Sequence, residues 1–125
     1  MIQVGSFLKI SDNSGGKKAL CIKILQNKKK FCNIGKEILV SIKSVRSQET
    51  SKIKKGGIYK AIIIRTNSKK EFNCFSYINF FENSIIVLNK QNNKPIGTRI
   101  FGPLIKNFKY SKYLKLISLS SGIIY

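Results

Sequence analysis

Apolar residues along this chain recur with a period of two over short runs, and clusters rich in lysine, glycine and asparagine separate the runs. Phe7-Leu8-Lys9-Ile10 has strand composition and leads into Ser11-Asp12-Asn13-Ser14-Gly15-Gly16, residues that bond their own backbone or accept positive φ, which predicts a turn. From Leu20 to Leu25 the alternation sets Leu20, Ile22 and Ile24 on one face and Cys21 and Lys23 on the other, a half-buried strand. Alternation resumes with Ile38, Val40 and Ile42 facing one way. The segment from Lys52 to Gly57 reads as the arm of a hairpin, and Ile58 to Thr66 returns to strand composition, with Ala61-Ile62-Ile63-Ile64 as a buried strand. Tyr77-Ile78-Asn79-Phe80 and Ser84-Ile85-Ile86-Val87-Leu88 are two more strands, split by Phe81-Glu82-Asn83. Strands at roughly ten-residue spacing predict a mainly β protein built as a small barrel. After Pro103 the period changes: Leu104, Ile105 and Phe108 stand at helical spacing, and Ser111 is placed to cap a further turn containing Tyr113, Leu114 and Ile117. Two short helices are expected there. The chain reads as one domain over residues 1–125, with a barrel to about residue 100 and a helical region from about residue 101.

The densest stretch is Lys94-Pro95-Ile96-Gly97-Thr98-Arg99-Ile100-Phe101-Gly102-Pro103, which holds two glycines, two prolines and one of the three arginines. Gly97 is suited to positive φ, Pro95 fixes its own φ, and Arg99 offers a planar fork of donors for phosphate or carboxylate. Ile100 and Phe101 are expected to anchor that fork to the core, and Gly102-Pro103 to start a helix.

Charge narrows the function more than the pattern does. Lysine and arginine number 24 against 5 acidic residues and no histidine, a formal charge of +19. Such a field favours a polyanion, with nucleic acid as the default. The lysines gather in loops, at 17–18, 28–30, 52–55 and 69–70. No long apolar span or basic amphipathic helix supports a membrane partner. The five carboxylates Asp12, Glu37, Glu49, Glu71 and Glu82 are scattered, and the lack of histidine removes the commonest general base, so no enzyme and no cofactor is expected. Cys21, Cys32 and Cys74 are widely spaced, without a Cys-x-x-Cys pair, and are expected to be reduced, mostly buried small hydrophobes rather than zinc ligands or a disulfide framework. The residues Phe7, Phe72, Phe75, Tyr77, Phe80, Phe81 and Phe101 are mostly expected in the core, and no base-stacking platform is nominated among them. Met1-Ile2-Gln3-Val4-Gly5 carries neither an apolar signal core nor an arginine-rich presequence, so either the protein works where it is made or a presequence is absent from this chain. Isoleucine, lysine and asparagine dominate, the bias that AT-rich coding in a small organelle genome produces.

Several pieces, in order, resemble the universal ribosomal protein fourteen family of the large subunit: Met1-Ile2-Gln3, Asp12-Asn13-Ser14-Gly15, Leu20-Cys21-Ile22-Lys23, Lys54-Lys55-Gly56, Lys60 to Thr66, Lys94 to Pro103 and Lys115-Leu116-Ile117-Ser118-Leu119. The resemblance covers nearly the whole chain. It implies a five-stranded β-barrel with a protruding hairpin and small C-terminal helices, bound to large-subunit rRNA at the face that meets the small subunit. It also implies ribosomal proteins three and nineteen of the bacterial scheme as neighbours, and small-subunit rRNA across the interface. By position, Lys17, Lys18, Lys23, Lys54, Lys55, Arg65, Thr66 and Arg99 match rRNA-side positions of the family. Thr98, Arg99 and Lys115 match the surface used for subunit joining, or by a silencing factor that blocks it. Two departures stand out. Cys74-Phe75 occupies the hairpin tip where relatives usually have an acidic residue and glycine, and Ser120 to Tyr125 lacks the usual Ala-Pro-acidic finish. Both fit an organellar ribosome, with the mitochondrion expected ahead of the plastid.

Overall fold

A computed structural model describes residues 1–25, 30–73, 76–110 and 112–124. The hairpin tip Cys74-Phe75, the expected cap Ser111 and the lysines at 28 and 29 lie outside the described residues. Strands β1 (Phe7–Ile10), β2 (Gly16–Ile24), β3 (Glu37–Val45), β4 (Ile58–Arg65) and β7 (Ser84–Leu88) close into a barrel in the order β1-β2-β3-β4-β7. Neighbours run antiparallel except at the closure, where β1 lies parallel to β7 with Lys9 opposite Ser84 and Ile10 opposite Ile85. Strands β5 (Lys70–Asn73) and β6 (Ser76–Ile78) form the separate hairpin that the resemblance implies.

Aliphatic side chains, mostly β-branched, fill this barrel and cover its outer side at β4 and β7. Ile38, Val40, Ile42, Ala61, Ile62, Ile63, Ile64, Ile85, Ile86 and Val87 are all fully buried. A barrel of few strands has a lumen just wide enough for side chains, which selects residues of this size. Both faces of β4 and β7 are covered, because β8 (Leu104–Ile105) packs on β4 and the C-terminal segment adds Phe108 and Leu116 to the same core.

The structure corrects four expectations. Instead of two helices, the C-terminal region contains a 3-10 turn (Lys106–Tyr110) and one six-residue helix, α1 (Leu114–Leu119), whose first turn has no side-chain cap. Pro103 does not start a helix. It precedes β8, which pairs in parallel with β9 (Ile123–Ile124), so that buried Leu104 and Ile105 satisfy their backbone from a neighbouring strand. In β2 the inward residues are Ala19 and Cys21, while Ile22 is exposed and Leu20 half-buried: alternation holds, but the face with the smaller side chains turns inward, and register shifts on either side of Lys18 and between Cys21 and Lys23 interrupt the ladder. Finally, Phe7, Tyr77 and Phe81 stand in solvent rather than in the core, and Phe80 and Phe101 are only partly covered. Phe7 lies on the outer face of β1, Tyr77 on the separate β5–β6 hairpin and Phe81 in the turn before β7.

Candidate nucleic-acid interface

The Asp12-Asn13 turn holds the Lys94–Pro103 stretch in place. Asp12 is buried, and its carboxylate accepts hydrogen bonds from Ser14 N–H at 3.0 Å, from the Ser14 hydroxyl and from Val87 N–H at 3.1 Å, tying the turn to β7. Asn13 then presents its amide to the stretch. Its Oδ1 accepts from Thr98 N–H at 2.7 Å and Arg99 N–H at 3.2 Å, while its Nδ2 donates to Thr98 Oγ1 at 2.8 Å. Gly97 is needed here for close approach, since a Cβ would lie 2.9 Å from both Asn13 Oδ1 and Asp12 Cβ. Positive φ belongs instead to Gly102, at 87°. On the other side, Phe101 N–H donates to the Ser11 carbonyl at 2.8 Å and Ile100 N–H to the Leu119 carbonyl at 2.9 Å. The stretch therefore has a fixed backbone, and the exposed side chains of Thr98 and Arg99 project from it.

Arg65 occupies the centre of the junction between barrel and C-terminal region. It is 5% exposed; its guanidinium donates to the Pro103 carbonyl at 3.1 Å, the Phe101 carbonyl at 2.9 Å and Ser11 Oγ at 2.9 Å, with Glu82 4.0 Å away. Burial pushes its pKa below the usual guanidinium value, and Glu82 opposes that shift. Gly102 makes room for it: a Cβ there would come within 2.6 Å of Arg65 Nη1. Thr66 is also buried and shares a hydrogen bond with the Ser68 hydroxyl. Of the residues expected on the rRNA side, these two are turned into the fold.

The remaining expected positions are exposed, and they fall into separate groups. Lys17 and Lys18 line a cleft of about 680 Å³ with Phe7, Lys9, Arg46 and Glu82. Lys54 and Lys55 sit in the connection between β3 and β4, where Lys54 N–H donates to Tyr59 Oη at 3.2 Å. Lys23 lies towards the end of β2. Thr98 and Lys115, 17 residues apart, share a shallow depression with Lys94, Gly97, Ser118 and Leu119. Arg99 is held differently, its guanidinium 5.7 Å from the centroid of the Phe101 ring, with that of Arg46 5.6 Å from the same ring. Such stacking orients the cations without using up their N–H donors.

A second ionic cluster lies away from these surfaces. Glu37, nearly buried, accepts from Lys60 at 2.7 Å, from Lys112 at 2.5 Å and from the Tyr113 hydroxyl. Burial would raise its pKa, but these three donors outweigh that and hold it at about 2, while burial and the same carboxylate push Tyr113 to about 12. Burial raises the Cys21 thiol and pushes Cys32 to about 11, and both are free and buried, as expected of small packing groups. Among the described residues no cluster of acidic, cysteine or histidine side chains fits a metal, and no helix is long and apolar enough to cross a membrane.

Sequence reasoning missed the anchoring role of Asn13 and the exposure of Phe7 and Phe81. The turn composition around Asn13 was visible, but its partner lies 85 residues away. For Phe81 the signal was its place in a loop between two strands. A family model described as Ribosomal protein L14p/L23e matches residues 1–124.

Proposed function

The chain belongs to the Ribosomal protein L14p/L23e family, and from that premise we propose that it is a non-catalytic structural protein of an organellar large ribosomal subunit, acting as one domain. It binds large-subunit rRNA through exposed lysines, among them Lys17, Lys18 and Lys23 of β2, a strand rather than the loop expected for 17–18, and Lys54 and Lys55 of the β3–β4 loop, which neutralise backbone phosphates and release counterions. The barrel directs the Thr98–Lys115 depression, and Arg99 held beside it on Phe101, towards the small subunit. One observation carries this reading: Thr98 and Lys115, far apart in sequence, meet in one depression beside a backbone pinned by Asn13. A surface that rigid suits a docking contact, because little conformational freedom is lost on binding. Arg65 and Thr66 support the interface from beneath rather than touching rRNA.

The AT-rich residue usage favours an organelle, with the mitochondrion ahead of the plastid. Neighbours of the kinds found beside the family, ribosomal proteins three and nineteen of the bacterial scheme, and small-subunit rRNA are the partners this reading proposes. A ribosome-silencing factor competing for the Thr98–Lys115 face is a further proposed partner. Sedimentation of organelle extract through a high-salt gradient tests the reading. The chain is expected with the large subunit; recovery at the top of the gradient would refute it and favour a free-standing RNA-binding regulator.

A further inference from the structure

We propose that the cleft between β1 and the β6–β7 turn holds unpaired nucleotides of RNA, with bases stacked on Phe7 and Phe81 and the backbone lying against Lys17, Lys18 and Arg46. This rests on the rRNA-binding reading and extends it from contacts with the RNA backbone to contacts with bases. Phe7 is 66% exposed because β1 turns Leu8 and Ile10 inward and leaves Phe7 and Lys9 on the outer face. Phe81 is wholly exposed in the turn just before β7. Pairing of Lys9 with Ser84, and the hydrogen bond from Lys9 N–H to the Asn83 carbonyl at 2.9 Å, bring that turn alongside the strand carrying Phe7. An adjoining hollow of about 440 Å³ continues the cleft past Arg46 and Glu82 to Phe80, Phe81, Phe101 and Pro103.

Two exposed phenylalanines are costly in water, since burying such a ring is worth about 1.5–3 kcal/mol. The surrounding charge selects their partner. Lys9, Lys17, Lys18 and Arg46 line the cleft against one carboxylate, and that carboxylate, Glu82, is engaged by Lys9 at 2.8 Å. Lys9 and Lys18 are direct cross-strand neighbours, so two cations stand side by side on the outer sheet surface. Aromatic faces bordered by cations match alternating bases and phosphates of a single strand. A paired duplex keeps its base faces stacked internally and offers such a cleft its phosphates, riboses and groove edges instead.

The test compares full-length wild type with Phe7→Ala/Phe81→Ala, Phe7→Leu and Lys17→Ala/Lys18→Ala, titrated against a fluorescein-labelled oligouridylate and a blunt RNA duplex of equal length over a range of salt. Loss of both rings is expected to weaken oligouridylate binding at least about tenfold, on the scale of one to two stacked bases. Duplex binding and the melting temperature should be unchanged. The lysine variant should instead weaken both ligands and flatten the salt dependence for the single strand by about 0.7 per lost charge. Phe7→Leu should lose affinity although it keeps an apolar side chain. Equal losses for single strand and duplex, no loss, or full rescue by leucine would overturn the proposal. So would retention of oligouridylate binding alongside loss of a neighbouring ribosomal protein from particles carrying the double alanine variant, which would make the rings a protein contact. Sedimentation of the wild type with large subunits is read separately, so a failed cleft does not count against the ribosomal reading.

Discussion

Arg65 and Arg99 lie on either side of the same turn, and their surroundings assign them opposite work. At the junction, the Arg65 fork donates to two carbonyls and a hydroxyl and is shut in by Gly102. On the open face, Arg99 rests on Phe101 with its backbone pinned by Asn13 and its side chain exposed. One arginine is enclosed by the groups it satisfies, and the other keeps an exposed side chain. The difference teaches that scarcity of arginine in a lysine-rich chain marks positions needing a planar fork, without saying which side of the surface the fork serves.

The largest effect that sharpens this contrast is Arg65→Ala. It leaves Ser11, Phe101 and Pro103 groups without their donor, and a loss of about 3 kcal/mol is expected, read as a fall of roughly 10 °C in thermal melting. Arg65→Lys should recover little, because a single ammonium cannot reach three acceptors in a plane. A melting temperature close to wild type would break the contrast.

Next is Glu37, the other sequestered ion cluster, where Glu37→Gln is expected to cost about 2 kcal/mol at neutral pH. With its pKa held at about 2 in the folded chain and about 4.3 in the unfolded one, the stabilisation from Glu37 is complete above pH ~4.3 and disappears as pH falls through about 2. Denaturant midpoints of wild type and variant should therefore converge between about pH 4.3 and 2. A constant gap across that range would show that the carboxylate charge is not what stabilises the site.

Smaller again is Asn13→Ala, which removes three hydrogen bonds to Thr98 and Arg99 from an exposed position. A loss of about 1 kcal/mol is expected, with faster amide exchange at Thr98 and Arg99 than elsewhere in the chain. Uniform exchange along the stretch would mean that Asn13 does not link the two regions.

How far the sequence discloses this arrangement depends on whether a feature is local. Strands β3, β4 and β7 are legible because Ile38-Val40-Ile42, Ala61–Ile64 and Ser84–Leu88 carry unbroken patterns. In β2 alternation holds, but the face carrying the smaller Ala19 and Cys21 is the inward one, which a count of large apolar residues does not reveal. Pro103 satisfies the rule for a helix start equally well as the residue before a short strand, and the strand wins because Ile123 and Ile124 arrive from the far end of the chain. Gly97 and Gly102 look interchangeable in sequence; one is required by the approach of Asp12 and Asn13 and the other by the Arg65 guanidinium. The exposed phenylalanines were obscured for the same reason, since only the assembled barrel shows which face of β1 is outward and where the turn carrying Phe81 lies. The expectation for Thr98 and Arg99 came from the resemblance alone, and the structure adds the means by which their backbone is held.

Arg99→Ala has the smallest expected effect on the fold and the most direct bearing on the account. Large subunits carrying this variant should retain the chain, and the isolated chain should melt within about 1 °C of wild type, as for an exposed substitution. Their affinity for small subunits should fall about tenfold, a difference of about 1.4 kcal/mol. Undiminished subunit joining, or a loss of joining matched by an equal loss of barrel stability, would contradict the outward role of Arg99 and with it the division between the two arginines.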